Sequence, residues 1–319
     1  MSKISVIGAG AFGTALAVQF ARFGHEVTLC ARDEKKALTL AKTRENADRL
    51  PGVTLPDGLK ISNDLTDLGK VVLLAMPAQA IAPFLRANAQ SLSATTMVAC
   101  CKGIDIETGL GPADLITHFT QAVPAVLTGP SFAADIAKGL PTALTLACAD
   151  DAVGTDLQTA LATDTVRLYR STDVKGAQLG GALKNIMAIA CGLAIGAGLG
   201  ESARAALMTR GFAEMNRFAQ SRGAHMQTLA GLSGFGDLAL TCTSMQSRNF
   251  AFGVGLAKGE TNTLGKTVEG VATAKAVAGL SVVEGLDLPI TQLVYAVTDG
   301  KMPLADAISA LLSRPLKEE

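Results

Sequence analysis

The chain has 319 residues, of which 49% are hydrophobic and 18% charged, with 28 basic and 28 acidic side chains. Zero formal charge argues against a general nucleic-acid or membrane-surface binder, and 4% aromatics with no Trp leave little from which to build a stacking platform for single strands. This length suits two domains better than one.

The first apolar run starts at Ile4 and is broken by glycines, unlike the hydrophobic stretch of a signal peptide, so a cytoplasmic location is expected. Short apolar runs then alternate with helix-like stretches. Strands are expected over 4–7, 27–31, 71–75, 97–101, 125–128 and 143–147, with helices over 13–23, 34–49 and 79–90 between several of them. Near-continuous apolar strands alternating with helices predict a parallel sheet covered on both faces, the doubly wound α/β class. After Thr172 strand-like runs mostly vanish. Long Ala/Leu/Gly-rich stretches over 174–199, 202–222, 267–286 and 303–313 predict an all-helical second domain. The division expected is a Rossmann domain over 1–172 and a helical substrate-binding and catalytic domain over 173–319, with Ser171, Thr172 or Asp173 capping the first helix.

The longest uncharged run, between Lys184 and Glu201, holds Asn185 and several glycines. It falls short of a comfortable membrane span and reads as a buried helix. Six cysteines lie at 30, 100, 101, 148, 191 and 242, without a C-x-x-C, and the three histidines are scattered. Neither a metal site nor a disulfide framework is expected.

Gly8, Gly10 and Gly13 form a G-x-G-x-x-G string that follows the first strand and opens the first helix, with a second strand at the βαβ distance. The chemistry of a dinucleotide site uses one glycine for the tight turn, one for approach of the pyrophosphate and one for helix–strand packing. At the end of the second strand stand Arg32 and Asp33. An acidic residue there would hold a ribose 2′-hydroxyl, and an arginine a 2′-phosphate. Asp33 is also a natural cap for a helix starting at Glu34, so NADP(H) through Arg32 is favoured and NAD(H) stays open.

Hydride transfer from a secondary alcohol needs a group to take the hydroxyl proton and positive charge near the developing alkoxide. Lys102 and Lys184 lie in unusually apolar company, and each either snorkels to solvent or serves a cleft. A third cluster runs from Gly231 through Asp237 to Thr241-Cys242-Thr243 and Ser247-Arg248-Asn249. It reads as a loop region, either an anion pocket or a plain polar connection. Two strings mislead. The glycines of 259–267 have five residues where a P-loop has four, and Gly129-Pro130-Ser131-Phe132-Ala133 lacks the last glycine of a nucleophile elbow.

Taken together, Gly129-Pro130-Ser131-Phe132-Ala133, Leu183-Lys184-Asn185, Thr209-Arg210-Gly211, Gly234-Phe235-Gly236-Asp237-Leu238, Ser247-Arg248-Asn249 and Val268-Glu269-Gly270 resemble the bacterial NAD(P)-dependent glycerol-3-phosphate dehydrogenase family, in order over nearly the whole chain. The resemblance implies interconversion of sn-glycerol 3-phosphate and dihydroxyacetone phosphate, typically run towards glycerol 3-phosphate for phospholipid synthesis. It implies Lys184 as proton acceptor and donor, Lys102 between nicotinamide and substrate, and Asp237 orienting Lys184. It places Gly129, Ser131, Asn185, Ser247, Arg248 and Asn249 with the substrate, Arg248 also touching the cofactor. Ala11, Phe12, Arg32, Ala133, Thr267 and Glu269 would contact the cofactor, with Gly8, Gly10 and Gly13. One departure stands out: Ser202 replaces an Asn usual in the family. The apolar helical half fits a homodimer or simply a large core. The rival readings are a reductase of the 6-phosphogluconate or 3-hydroxyacid dehydrogenase type and a non-catalytic NAD(P)-binding sensor. The sensor would not need Lys184, Asp237 and Arg248 together.

Overall fold

A computed structural model describes residues 2–92, 95–260 and 268–312, the side chains of 311 and 312 aside. The apolar run KISVI forms β1 (Lys3–Ile7), buried on both faces, and feeds through the glycine turn into α1 (Ala11–Arg22). β2 (Glu26–Cys30) follows, then α2 (Glu34–Thr43), whose N-terminus is capped by the Asp33 carboxylate accepting from Lys36 N–H at 2.9 Å. The expected helix over 34–49 stops here. Arg44 takes a left-handed conformation, φ 49°, and its guanidinium donates to the carbonyls of Pro56 and Leu59. This turns the chain into a hairpin of β3 (Glu45–Asn46) and β4 (Leu50–Thr54).

β5 (Lys60–Ser62), β6 (Val71–Leu74), a 3-10 turn running into α3 (Ile81–Leu92), β7 (Thr96–Ala99), α4 (Pro112–Phe119) and β8 (Val123–Thr128) continue the alternation. Then come α5 (Ala133–Ala137), β9 (Thr142–Cys148), α6 (Asp151–Leu161) and β10 (Val166–Ser171). Among the described residues the sheet has eight strands in the order β10-β9-β8-β7-β6-β1-β2-β5. The parallel expectation holds from β5 to β8. It fails at β9, which pairs antiparallel with β8, with β10 parallel to β9. The five-residue α5 is too short to carry the chain back across the sheet, so the strand returns alongside. Separate apolar clusters cover the two faces, one around Phe20, Leu29 and Leu73, the other around Leu74, Ile81 and Met97.

β10 ends at Ser171, and Asp173 caps α7 (Val174–Gly196) by accepting from Gly176 N–H at 2.8 Å. By length and composition α7 could cross a membrane, but 89% of its most apolar stretch is buried inside the protein. It is the axis around which the rest packs: α8 (Gly200–Ser221), α9 (Met226–Ala230), a π turn (Leu232–Gly236), α10 (Asp237–Cys242), α11 (Arg248–Ala257), α12 (Glu269–Glu284), α13 (Pro289–Thr298) and α14 (Leu304–Leu312). Ile186 and Ile189 of α7 are fully buried, each contributing about 1.5–3 kcal/mol of burial. The expected polar loop over 231–249 is largely helical turns. All six cysteines are free.

Candidate active site

The parallel strands β1, β6, β7 and β8 bring their carboxyl ends to one edge of the sheet. Strand order reverses at β1, which has β2 on one side and β6 on the other, and ligands of open α/β sheets bind at such a point. Gly8 sits at φ +115°, and a Cβ there would lie 2.7 Å from the Ala75 backbone. A Cβ on Gly13 would lie 2.1 Å from the Gly8 carbonyl oxygen. Gly10 differs: a Cβ there would meet nothing of the protein nearer than 3.9 Å. Packing does not demand that glycine, whereas a pyrophosphate passing close to the backbone would. The first turn of α1 has no capping side chain and no acidic residue, so no side chain of its own occupies its first amide N–H groups. These residues fit a dinucleotide.

Arg32 is 95% exposed on its side chain, with Asp33 Oδ2 at 3.8 Å. The other Asp33 oxygen caps α2. Arg32 is thus available to an anion, and Asp33 is already engaged.

Lys102 follows β7, and its ammonium donates to Asp237 Oδ2 at 2.6 Å and to the Gly129 carbonyl at 3.0 Å. Lys184 comes from the middle of α7, and its ammonium lies 3.2 Å from Asp237 Oδ1 and donates to Thr241 Oγ1 at 2.8 Å. One carboxylate, 2% exposed, therefore serves two lysines from different halves of the chain. Its position is set by the π turn over 232–236, which brings backbone against α7: a Cβ on Gly180 would lie 2.7 Å from the Ser233 carbonyl oxygen. Burial pushes the Lys184 ammonium down to about 8; Asp237 opposes the shift and the Lys102 charge adds to it.

Around this centre run hydrogen bonds that fix the other expected residues. Ser131 Oγ donates to the Gly129 carbonyl at 3.1 Å. Asn185 donates to the Lys102 carbonyl at 3.2 Å, and Asn249 donates to Asn185 Oδ1 at 2.9 Å while accepting from Gly270 N–H at 2.9 Å. Ser247 caps α11 and accepts from Thr241 at 3.4 Å. Glu269 accepts from Ala78 N–H at 3.3 Å, tying α12 to the turn after β6; burial raises its carboxyl above the usual range.

The remaining expected residues lie at the margin. Arg248 is the first residue of α11, exposed, and its side chain makes no hydrogen bond or ion pair among the described residues, although its charge acts on Glu269. Ala11 and Phe12 open α1, and Ala133 opens α5. Thr267 lies outside the described residues. Ser202 is exposed in the first turn of α8 and makes no hydrogen bond to Asp237 among the described residues, so the departure there leaves both lysine contacts intact. Sequence reasoning placed Thr241 only within the polar cluster of 231–249 and did not pair it with Lys184. Its spacing was the available signal, since it stands four residues after Asp237, one turn along α10 on the same face.

Residues 3–154 match the family model described as NAD-dependent glycerol-3-phosphate dehydrogenase N-terminus, and residues 173–309 match its C-terminus counterpart. A Roseobacter denitrificans protein named glycerol-3-phosphate dehydrogenase (NAD(P)+) is 56% identical over 322 residues, covering 99% of this chain and 100% of that one. A Ruegeria protein of the same name is 56% identical over 320 residues, with the same coverage. The crystal structure of a glycerol-3-phosphate dehydrogenase from Coxiella burnetii has a TM-score of 0.93 at 32% identity, covering 98% of this chain and 99% of that one.

Proposed function

The chain belongs to the NAD-dependent glycerol-3-phosphate dehydrogenase family, and from that premise we propose how its residues interconvert sn-glycerol 3-phosphate and dihydroxyacetone phosphate. The observation that carries the mechanism is the single buried carboxylate between Lys102 and Lys184. NAD(P)H, when bound, supplies the hydride. Lys184 moves the proton: as ammonium it donates to the carbonyl oxygen of dihydroxyacetone phosphate, and as neutral amine it takes the C2 hydroxyl proton of glycerol 3-phosphate. Asp237 and Thr241 hold its Nζ. Lys102, fixed by Asp237 and Gly129, keeps a positive charge beside the oxygen on which negative charge develops.

We assign the cofactor to Gly8, Gly10, Ala11, Phe12, Gly13, Arg32, Ala133 and Glu269, within a nucleotide-binding domain over 1–172. Arg32, 95% exposed and held only by a long ion pair to Asp33, favours NADP(H). Arg248 at the N-terminus of α11, with Ser247 and Asn249, is assigned to the substrate phosphate; the helix end and the guanidinium both favour an anion there. Gly129, Ser131 and Asn185 complete the substrate side, in a helical domain over 173–319. Supply of glycerol 3-phosphate for phospholipid synthesis in the cytoplasm fits six free cysteines. A homodimer draws its support from apolar surface such as Val282 and Val283, 73% and 85% exposed.

Initial rates of NADPH and NADH oxidation, with dihydroxyacetone phosphate as the varied substrate, test the reading. It expects saturable oxidation and stoichiometric glycerol 3-phosphate. Oxidation with neither cofactor would sink it, as would faster turnover of a 3-keto acid or a 6-phosphogluconate-type substrate, the rival reading that full-length likeness to the relatives above does not favour.

A further inference from the structure

The hairpin β3–β4 interrupts the strand–helix alternation, and it sends Asn46 to the back of the glycine turn. Asn46 is 0% exposed, and its Nδ2 donates to the Ala9 carbonyl at 3.0 Å and to Thr14 Oγ1 at 2.8 Å. A carbonyl can only accept, so the nitrogen end of the amide must be the one facing Ala9. The hairpin is itself pinned, by Arg44 donating to the Leu59 carbonyl at 3.2 and 3.1 Å and by buried Leu50, Val53, Leu55 and Leu59. Asn46 Oδ1 is buried with no partner among the described residues, a cost that an apolar side chain would avoid if the position only held a hairpin.

In a trans peptide the C=O and N–H point in opposite directions. Holding the Ala9 oxygen inward therefore turns the Gly10 N–H outward, on the open side of the turn. Thr14, whose N–H donates to the Gly10 carbonyl at 2.9 Å, fixes the other end of the same segment. We propose that Asn46 is a positioning residue of the nucleotide site, which orients the Gly10 amide towards the cofactor pyrophosphate through its bonds to Ala9 and Thr14. The proposal rests on the reading of residues 8–13 as the nucleotide turn.

Asn46→Asp keeps the shape and removes both donors. Titration calorimetry on the full chain would compare two probes: 2′-phospho-ADP-ribose, which carries the pyrophosphate, and adenosine 2′-monophosphate, which lacks it. Asn46→Asp should weaken the first about tenfold or more and leave the second within about twofold, with kcat at saturating NADPH retained. Thr14→Val, a smaller change should the first variant not fold, should give the same pattern at about threefold. Unchanged affinity for the pyrophosphate probe in the folded variants would overturn the proposal. Equal weakening of both probes would overturn it too, since general loosening of the domain acts on both. Wild-type protein that binds neither these probes nor ADP-ribose would instead overturn the nucleotide-site reading, and this proposal with it.

Discussion

Asp237 places one buried carboxylate between two lysine side chains, and burial makes the Lys184 ammonium easier to deprotonate than a free lysine. The Lys184 side chain is 8% exposed and that of Lys102 16%, and Lys184 is held down to about 8 by desolvation. Lys184→Ala is expected to lower kcat by about 10²–10⁴-fold, the range for general acid–base groups, with NADPH affinity by fluorescence titration unchanged. Near-normal turnover would remove Lys184 from the role assigned to it. Arg248→Ala should raise the KM for dihydroxyacetone phosphate about 10- to 100-fold through loss of a charge-assisted bond; an unaltered KM would take the phosphate elsewhere. Arg32→Ala should bring the kcat/KM ratio of NADPH to NADH down about tenfold, because Arg32 faces solvent and its ion pair with Asp33 is long, at 3.8 Å. An unchanged ratio would assign the discrimination to another residue.

Elements were legible where their pattern was local and obscured where a distant contact overrode it. β1, β2, β6 and β7 stand out as apolar runs because both of their faces are covered. The end of α2 was not visible: Arg44 is no helix breaker, and its turn depends on carbonyls of Pro56 and Leu59 further along the chain. α11 was hidden for the opposite reason. Gly253 and Gly255 weaken its helical pattern, yet a Cβ on Gly253 would lie 2.3 Å from the Ile189 carbonyl oxygen, so glycine is there to let α11 lie against α7. β10 was missed because its outward positions carry Arg167 and Tyr169, as an edge strand allows. The lysines were visible as lone charges in apolar company, but nothing in their spacing reveals that they share Asp237. α13 also depends on a remote group: Glu214 on α8 is 2% exposed and accepts from Ile290 N–H at 2.7 Å and Thr291 N–H at 3.1 Å. Burial pushes its carboxyl up to about 7. A folded value above the unfolded one means that the native state binds the proton more tightly. That contribution is complete below about 4.5 and disappears as pH rises through about 7. Glu214→Gln, with one acceptor oxygen for two amides, should cost about 1–3 kcal/mol in urea unfolding and flatten this dependence between those pH values. An equal slope in variant and wild type would place the titration elsewhere.

At the scale of the molecule, the site exists only where the two halves meet. The sheet contributes Lys102 and Gly129 from the ends of β7 and β8, and the helical half contributes Lys184 from α7 and Asp237 and Thr241 from α10. Asn185, donating to the Lys102 carbonyl, and Glu269, accepting from Ala78 N–H, cross the same seam. Composition and charge said only that the chain is large enough for two units and no nucleic-acid binder; the order of its motifs carried the chemistry. The central claim is that Lys184, poised by burial in this seam, moves the proton in both directions. The pH dependence of kcat/KM measured in both directions tests it most directly. Glycerol 3-phosphate oxidation needs the neutral amine and should rise with pH to a plateau above about 8, while dihydroxyacetone phosphate reduction needs the ammonium and should fall through the same value. Profiles that change together, or that show no inflection near 8, would contradict it.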